Sequence, residues 1–384
     1  MNRYRSYGDR DDPPLPVGDE QFIGVDEYSN PENIAPGLMQ QAVNVDFSTQ
    51  NAETRGGFVC LPELGATPFG QVWTDRSSGT INDLTSVAYG NGFFITGTFG
   101  EILRSYDGIN WTVVATPSNI AINQIAYGNG VFIAVGQGIA GNSCVLRSTD
   151  GATWTAPATA PTTRVYSVVE YGNGIWVSFA TTGYLITSTD DGVTWTAATA
   201  VSGTTNASGL AFGNGTFILT VLLGRVYRSN DGTTWTRITT APSTVYYDCA
   251  FGNLIYVLLG ANGAVYISSD LDVWTQTRSA DATASTWNAI IFDSGRFLAV
   301  SQRNLVSGST ARIMSSVTGY GWTVAPAIPQ KDWQDIVCGG DICVAVGLAG
   351  AVMTSTNASS SIYASGAFSD PNNPSEVWIM LLGY

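Results

Sequence analysis

A unit of about 40 residues recurs seven times between residue 84 and residue 356, and this repeat constrains the fold more than any other feature. Each unit begins with an apolar segment, which in four units ends in an aromatic residue and Gly-Asn-Gly, as at residues 89–92, and in three units ends in a looser copy, at residues 251–253, 292–295 and 338–341. Two further apolar segments follow, separated by small residues. A period of this length is typical of propellers and solenoids. Short apolar segments between glycine-rich turns predict an all-β chain, a seven-bladed β-propeller with four antiparallel strands per blade.

The third segment of most units ends in Ser-x-Asp-Gly-x-x-Trp. In such a hairpin the Asp accepts backbone N–H groups, the Gly supplies a positive φ, and the Trp ring is predicted to pack between neighbouring units. The fifth copy has lost the Gly, and the sixth keeps little beyond Gly319, Gly321 and Trp322. The predicted structural residues are Asp107, Gly108, Trp111, Asp150, Gly151, Trp154, Asp190, Gly192, Trp195, Asp231, Gly232, Trp235, Asp270 and Trp274.

This motif resembles the Asp-box repeat of bacterial neuraminidases, which is also found in other glycoside hydrolases, photosystem assembly factors and phage proteins. The resemblance extends over about seventy per cent of the chain. It implies a fold and not an activity, since one fold supports many functions.

The seventh unit ends without a Trp, whereas residues 71–74, Gln-Val-Trp-Thr, look like a Trp-Thr strand that has no unit of its own. We predict that this strand, with Trp73, completes the last blade, because ring closure removes an exposed sheet edge. The alternative is that Trp73 only caps the first blade.

The chain is acidic, with a formal net charge of −14, a sequence pI near 4.2, one lysine and no histidine. Only 12% of its residues are charged, against about 25% in typical globular domains, which favours a surface covered by partners. A surface of this charge argues against a grip on nucleic acid. It is compatible with a channel through which DNA slides without sticking.

The five cysteines, Cys60, Cys144, Cys249, Cys338 and Cys343, are interpreted as reduced core residues and not as a disulfide framework. Without histidine an ordinary zinc site is not expected, and no cofactor is predicted. The N-terminus lacks the apolar core of a signal peptide, and an apolar run of membrane-spanning length is missing. We therefore expect assembly in the cytoplasm and no membrane insertion.

Residues 1–66 are unlike the repeat, and the proline-rich stretch at residues 10–16 predicts an extended arm. Residues 22–58 resemble the segment that precedes propeller domains in structural proteins of tailed bacteriophages. The matching positions include Pro36, Gly37, Asn44 and Arg55, and the resemblance implies a role for them in assembly. The alternative is that this segment only decorates the first blade of a bacterial propeller.

Residues 363–384 contain a turn and an apolar strand that includes Trp378. Left unpaired, such an edge would aggregate, so we expect it to dock on its own propeller or on a neighbouring subunit. The predicted organisation is therefore an arm at 1–66, a propeller at 67–362 and a C-terminal docking strand at 363–384.

A sialidase needs three arginines around the substrate carboxylate, a Tyr nucleophile with a Glu partner, and an acid. Arg104, Arg147 and Arg228 occur, but at the same position of their repeats, which indicates blade packing. The carboxylates outside the motif are scattered, and a paired acid and base is not visible. We predict no enzymatic activity; the carboxylates are Glu101, Glu170, Asp248, Asp293 and Asp335, with Glu170 the least implausible catalytic candidate.

Glycan binding is a third interpretation, because aromatic residues near turns can stack on sugar rings. The candidates are Tyr166, Tyr246, Tyr247 and Trp287. Packing between blades is the favoured role for all four.

The phage resemblance implies a virion structural protein, most plausibly the tail nozzle or another lower-tail component. Such proteins form a ring, commonly of six copies, that continues the DNA channel below the portal and adaptor. The expected partners are further copies of the chain, the adaptor or portal and other tail proteins, with DNA only in transit. The alternative is a tail-tip, fibre or capsid-decoration protein that binds a host-surface glycan, and a sialidase-like glycoside hydrolase ranks below both.

Overall fold

The computed structural model describes residues 72–77, 82–116, 120–139, 144–159, 164–279, 286–302, 310–325, 328–340, 342–356, 364–370 and 373–382. The chain divides into two compact units. One is Thr67–Ser359, and the other combines Met1–Ala66 with Ser360–Tyr384. The larger unit is a β-propeller of seven blades, which confirms the predicted fold class.

The strands of the first three blades follow one another along the chain, and the first strand of the whole propeller, β1 (Thr74–Asp75), precedes them. Blade 2 has three strands and, in place of a fourth, a single bridge between Arg147 and Thr155. Blade 1 is β2 (Ser86–Gly90), β3 (Phe93–Gly97), β4 (Ile102–Ser105) and β5 (Thr112–Val114); blade 2 is β6 (Ile120–Gly128), β7 (Val131–Gly138) and β8 (Val145–Ser148); blade 3 is β9 (Tyr166–Gly172), β10 (Ile175–Ala180), β11 (Tyr184–Ser188) and β12 (Thr199–Ala200).

Blades 4 to 7 repeat this arrangement, and short 3-10 turns at Ala261–Gly263 and Leu348–Gly350 join the second and third strands of blades 5 and 7. Blade 4 is β13 (Ala207–Gly213), β14 (Thr216–Val221), β15 (Arg225–Ser229) and β16 (Thr236–Ile238); blade 5 is β17 (Tyr246–Gly252), β18 (Ile255–Gly260), β19 (Val265–Ser268) and β20 (Thr275–Arg278); blade 6 is β21 (Trp287–Asp293), β22 (Arg296–Ser301), β23 (Ile313–Ser316) and β24 (Thr323–Val324); blade 7 is β25 (Trp333–Gly339), β26 (Ile342–Gly347) and β27 (Ala351–Thr356) with β1.

The first strand of each blade contacts the first strand of the next, and β2 of blade 1 contacts β25 of blade 7, so these seven strands form a closed inner ring. The hydrophobic core lies between blades. One cluster, for example, joins Phe93 and Ile95 of blade 1 to Phe132 and Trp154 of blade 2. Stacking of blades thus buries the apolar faces that a single blade leaves open.

The ring is closed in blade 7, where β1 pairs with β27 through Thr74 and Thr354. Trp73 is buried in the cluster that contains Trp333 and Met353, so its ring packs in the last blade and does not cap the first. Backbone bonds reinforce the closure, including that from the N–H of Arg76 to the carbonyl of Val352 at 2.7 Å.

The first two strands of each blade are joined by a tight turn. In blade 1, Asn91 has φ of 49° and Gly92 has φ of 82°. Two successive positive φ angles define the hairpin turn that suits the twist of paired strands, and Asn and Gly are the residues that tolerate it. The repeated Gly-Asn-Gly sequence therefore follows directly from the backbone of this turn.

The cysteine prediction is wrong for two of the five residues. Cys338 and Cys343 face each other across β25 and β26, with Cα atoms 4.0 Å apart, and form a disulfide. The register of this hairpin makes them direct neighbours, which residue counting did not anticipate. Cys144 and Cys249 are buried free thiols, and Cys60 lies outside the described residues.

In the smaller unit, β28 (Ala364–Asp370) and β29 (Asn373–Leu382) form an antiparallel hairpin. The predicted single C-terminal strand is thus the second strand of a pair, and it begins at Asn373, within the predicted turn. Among the described residues, no helix is long and apolar enough to cross a membrane.

Candidate functional site: the turn face and the inner ring

The hairpins that carry the Ser-x-Asp-Gly-x-x-Trp motif form one end of the propeller together with the Gly-Asn-Gly turns, and we call this end the turn face. In blade 2, Oδ1 of Asp150 accepts the N–H groups of Ala152 at 2.9 Å and Thr153 at 2.6 Å. The N–H of Gly151 donates to Oγ of Ser148 at 2.8 Å. The hydrogen bond from the N–H of Thr153, and next that from Ala152, lower the pKa of Asp150 to about 2. This carboxylate is therefore ionised, and its Oδ1 is hydrogen-bonded within its own turn.

The other turns repeat this bonding. The backbone N–H groups of each turn donate to Asp107, Asp190, Asp231 and Asp270 at 2.6–2.9 Å. The indole N–H then donates to the turn carbonyl, as Trp154 does to Gly151 at 3.2 Å. Trp111, Trp235 and Trp322 make the same indole bond. In Trp195 and Trp274 the indole N–H has no such partner within the part of the chain that is described.

Asparagines of the Gly-Asn-Gly turns tie neighbouring blades together. The Nδ2 of Asn91 donates to the carbonyl of Thr149 in the next blade at 3.0 Å. Asn173 donates to the carbonyls of Gly215 at 3.1 Å and Asn230 at 3.0 Å. Asn129 and Asn253 make equivalent bonds to Asp191 and Val317. We call these bonds the asparagine bridges; they fasten the turn face blade by blade.

The motif glycines lie where blades approach closely. A Cβ at Gly151 would lie 2.3 Å from the ring of Phe93, and one at Gly232 would lie 2.8 Å from Val177. Gly108, Gly192 and Gly319 meet the preceding blade in the same way. Gly at this position is therefore needed for space as well as for its φ.

The three arginines do not converge. The guanidinium of Arg104 lies over the rings of Phe93 and Tyr106, at 4.2 Å and 4.6 Å. Arg147 donates to the carbonyl of Asp191 at 2.7 Å, and Arg228 pairs with Asp272 at 3.3 Å. Each arginine thus serves packing within its blade or a bond to the next blade.

Two half-buried carboxylates join blades at the inner ring. Oδ2 of Asp335 accepts the hydroxyl of Ser86 at 2.8 Å and the N–H of Val87 at 2.9 Å, across the junction of blades 7 and 1. Oδ2 of Asp248 accepts the N–H of Ile290 in blade 6 at 2.8 Å. Burial raises the pKa of Asp335 to about 6 and raises that of Asp248 well above its usual range.

The bonding of these acids follows from strand irregularities. The register of each inner strand shifts by one residue just before the acid, between Trp333 and Asp335 and between Tyr246 and Asp248. Ser86 and Gln124 occupy the same repeat position and also accept an N–H from the next blade, from Ile125 and Val169. A polar residue at this position is therefore a connector between inner strands.

Glu170 lies in β9, two residues beyond the connector position, where the other blades have Ala, Ile or Val. Burial raises its pKa to about 8, and one donor, the N–H of Tyr171 at 3.1 Å, opposes this rise. Glu101 and Asp293 are bonded at the surface to Asn82 and Ser294. Asp335 and Glu170 are close enough to Asp248 for their charges to raise its pKa further. No group of three metal-ligating side chains occurs in the described ranges.

The remaining predicted residues divide into two groups. Tyr166, Tyr246 and Trp287 are at most 1% exposed and cannot present a glycan-binding surface, and Tyr247 is half-buried. Trp378 lies in β29. Pro36, Gly37, Asn44 and Arg55 lie outside the described residues.

Sequence reasoning missed the connectors of the inner ring and the asparagine bridges. A signal existed for the connectors, because Ser86, Gln124, Asp248 and Asp335 interrupt otherwise apolar strands at one repeat position. The asparagines gave none, because the turn backbone already accounts for their presence.

No family model matches the chain, and no curated protein sequence matches it. Several solved structures share its fold. YCF48 from Cyanidioschyzon merolae superposes with a TM-score of 0.57 at 14% identity, over 73% of this chain and 98% of YCF48. Virginiamycin B lyase from Staphylococcus aureus gives 0.62 at 11% identity, over 74% and 98%. The GH74 xyloglucanase from Xanthomonas campestris gives 0.57 at 17% identity, over 76% of this chain and 54% of the enzyme.

At these identities the likeness concerns the fold alone. Two of the three similar proteins are enzymes by name, so the propeller by itself neither requires nor excludes catalysis. The function must be argued from the residues of this chain.

Proposed function

We propose that this chain is a non-enzymatic structural subunit of a tailed-phage virion, and that it forms the tail nozzle or another ring-shaped component of the lower tail. The observation that carries this proposal is the resemblance of residues 22–58 to the segment that introduces propellers in phage structural proteins. In this proposal copies of the chain, in a ring of six, contact the portal or adaptor and other tail proteins.

The use of the polar side chains supports a structural role. Arg147 and Arg228 bond to neighbouring blades, and Asp248 and Asp335 accept backbone N–H groups across blade junctions. A catalytic group must be free to meet substrate within hydrogen-bond reach. Side chains that are already committed to holding blades together are poorly suited to that task.

The charge of the chain supports a passage for DNA. A formal charge of −14 repels the phosphate backbone, so a ring of such subunits would leave the genome free to move. The rigid propellers would form the wall, and the terminal segments would make the contacts between subunits.

Electron cryomicroscopy of the particles tests the location. A sixfold ring around the tail axis supports the proposal, whereas copies confined to the capsid surface or to fibre tips contradict it. A fluorogenic glycoside assay on the purified chain tests the non-enzymatic part, for which we expect no turnover.

Deletion of residues 1–60 tests the assembly role of the arm. We expect a soluble propeller with an unchanged melting temperature that no longer enters particles. The matched control is Arg312→Ala, a propeller substitution, which should enter particles normally. Normal incorporation of the deleted chain would rule out the arm as the contact.

A further inference from the structure

The junction between blades 4 and 5 differs from the others in the residue that follows the motif Asp. Leu271 stands where five other turns have Gly, and it keeps a positive φ of 65°. Its side chain is 4% exposed and packs in the same cluster as Ile218 of blade 4. A leucine in this conformation is rare, so the surrounding packing must hold it there.

The facing position on blade 4 explains how the leucine fits. Thr216 begins the second strand of this blade, where other blades have larger residues such as Phe93, Ile175 and Ile255. At those junctions the large residue faces a glycine. Between blades 4 and 5 the sizes are exchanged, with the small residue on the strand and the large one on the turn.

The asparagine bridge is missing at this junction. Asn214 is equivalent to Asn91, Asn129 and Asn173, and its φ of 46° is the same as theirs to within a few degrees. The amides of those residues bond to the next blade, whereas that of Asn214 has no hydrogen-bond partner among the described residues. We attribute this difference to the leucine, which occupies the space through which the turns otherwise approach.

A cleft of about 380 Å³ opens on the turn face at this place. Asn214, Thr216 and Asn230 line it from blade 4, and Ser269 and Asp270 line it from blade 5. Oδ1 of Asn230 accepts a hydrogen bond from the hydroxyl of Thr216 at 3.0 Å, so the NH₂ group of Asn230 is left to donate to a ligand in the cleft. The turn N–H groups use Oδ1 of Asp270 and lower its pKa, so its Oδ2 is an ionised acceptor.

We propose that this cleft binds a neutral hexose, either as a free sugar or as the terminal residue of a glycan. Each sugar hydroxyl both donates and accepts a hydrogen bond, and the cleft offers both kinds of partner in planar amide and carboxylate groups. Its volume suits one or two sugar rings. The inference goes beyond the structural role proposed above and does not depend on it.

The charges at the cleft favour a neutral ligand. Arg228 also lines the cleft, but it is paired with Asp272 at 3.3 Å. An anionic ligand would approach the ionised carboxylate of Asp270, and a cationic ligand would approach the guanidinium of Arg228. A neutral polyol meets neither penalty. Because none of the described residues that line the cleft offers an exposed aromatic ring on which a sugar could stack, we expect weak binding, with a Kd of about 1–10 mM.

Saturation-transfer NMR on the full-length chain tests the proposal with three probes: methyl α-D-glucopyranoside, methyl β-D-galactopyranoside and methyl α-D-mannopyranoside. We expect transfer to at least one of them. Asn214→Gly keeps the positive φ and removes only the side chain, so the protein should fold, and we expect transfer to fall about fivefold or more.

Asn91→Gly is the matched control, because it removes the equivalent side chain at a closed junction whose bonds, to Gly130 and Thr149, lie away from the cleft, and transfer should be unchanged. Asn230→Ala provides a second variant and should also weaken the signal. The proposal is overturned if none of the three probes shows transfer, or if transfer is the same in Asn214→Gly, Asn230→Ala and the unmodified chain.

Discussion

The junction between blades 7 and 1 and the junction between blades 4 and 5 join the same kind of sheets in different ways. At the first, Asp335 accepts two donors from blade 1, and the N–H of Ala349 donates to Asp83 at 2.9 Å. At the second, Asn214 makes no bridge. Tyr256 donates to the carbonyl of Gly213 at 2.6 Å, Arg228 pairs with Asp272 at 3.3 Å, and Leu271 adds apolar packing.

The difference reflects the path of the chain. Blades 4 and 5 are consecutive in sequence, so the backbone keeps them near each other whatever their side chains do. The chain links blade 7 to blade 1 only through β1, whereas β25, β26 and β27 are separated from blade 1 by nearly the whole propeller, and non-covalent bonds alone hold them to β1 and to blade 1. Asp335 accepts two donors at the junction where the entropy of closure is largest, whereas the consecutive junction between blades 4 and 5 has no connector of this kind among the described residues and opens a cleft.

Replacing Asp335 by alanine should have the largest effect. It leaves the N–H of Val87 and the hydroxyl of Ser86 buried without their acceptor, and we expect a loss of about 2–4 kcal/mol in the free energy of unfolding. Urea denaturation measures it. Asp248→Ala removes a connector between consecutive blades and should cost less; an equal loss in both variants would contradict the role that we assign to chain connectivity.

Replacing Leu271 by glycine should have the next largest effect. The lost side chain leaves a cavity that costs about 2–5 kcal/mol, while relief of the positive φ returns about 1–2 kcal/mol. We expect a net loss of about 2 kcal/mol, measured as a lower melting temperature. Gly232→Leu is the reverse exchange at a closed junction, and its clash with Val177 should destabilise the chain as well. A stabilised Gly232→Leu variant would show that the sizes are not matched across junctions.

The two half-buried acids Asp335 and Glu170 also differ, because Glu170 has a single donor among the described residues. Its folded-state pKa of about 8 lies above the ordinary value of 4.5. The folded state therefore binds the proton more tightly, and ionisation removes stability as the pH rises through this window. Glu170→Gln should nearly match the unmodified chain near pH 5 and exceed its stability by up to about 4 kcal/mol near pH 8.5. Equal urea midpoints at both pH values would show that Glu170 ionises freely.

The asparagine bridge should give the smallest effect. Asn173→Gly removes bonds to two carbonyls, whereas Asn214→Gly removes none among the described residues. Both variants change the same residue type at nearly the same φ. The two variants should differ by about 1 kcal/mol in the free energy of unfolding. Because glycine affects the backbone equally in both, this difference measures the contribution of the asparagine bridge alone. If the two variants melt at the same temperature, the asparagine bridge does not contribute to stability.

The local parts of this fold could be predicted from the sequence. The seven-bladed propeller is confirmed, and each turn is encoded by a few adjacent residues whose bonding recurs in most copies. The strand around Trp73 could be located because it repeats a local motif outside its unit.

The parts that depend on contacts between units could not be predicted in this way. Asp335 meets Val87 only because a register shift and ring closure bring residues 248 positions apart together. Leu271 looked like a degenerate glycine until the facing Thr216 was known. The disulfide between Cys338 and Cys343 likewise depends on the register of one hairpin.

Ring closure through β1 has a consequence for how such a chain can change. Thr74 and Thr354 are neighbours in one sheet, so the propeller begins and ends at the same place. The distance between the first and last strands of the propeller is set by this one pair of strands and not by the number of blades between them. The propeller is thus an insertion whose length can grow or shrink by whole repeats while its connection to the terminal segments stays the same.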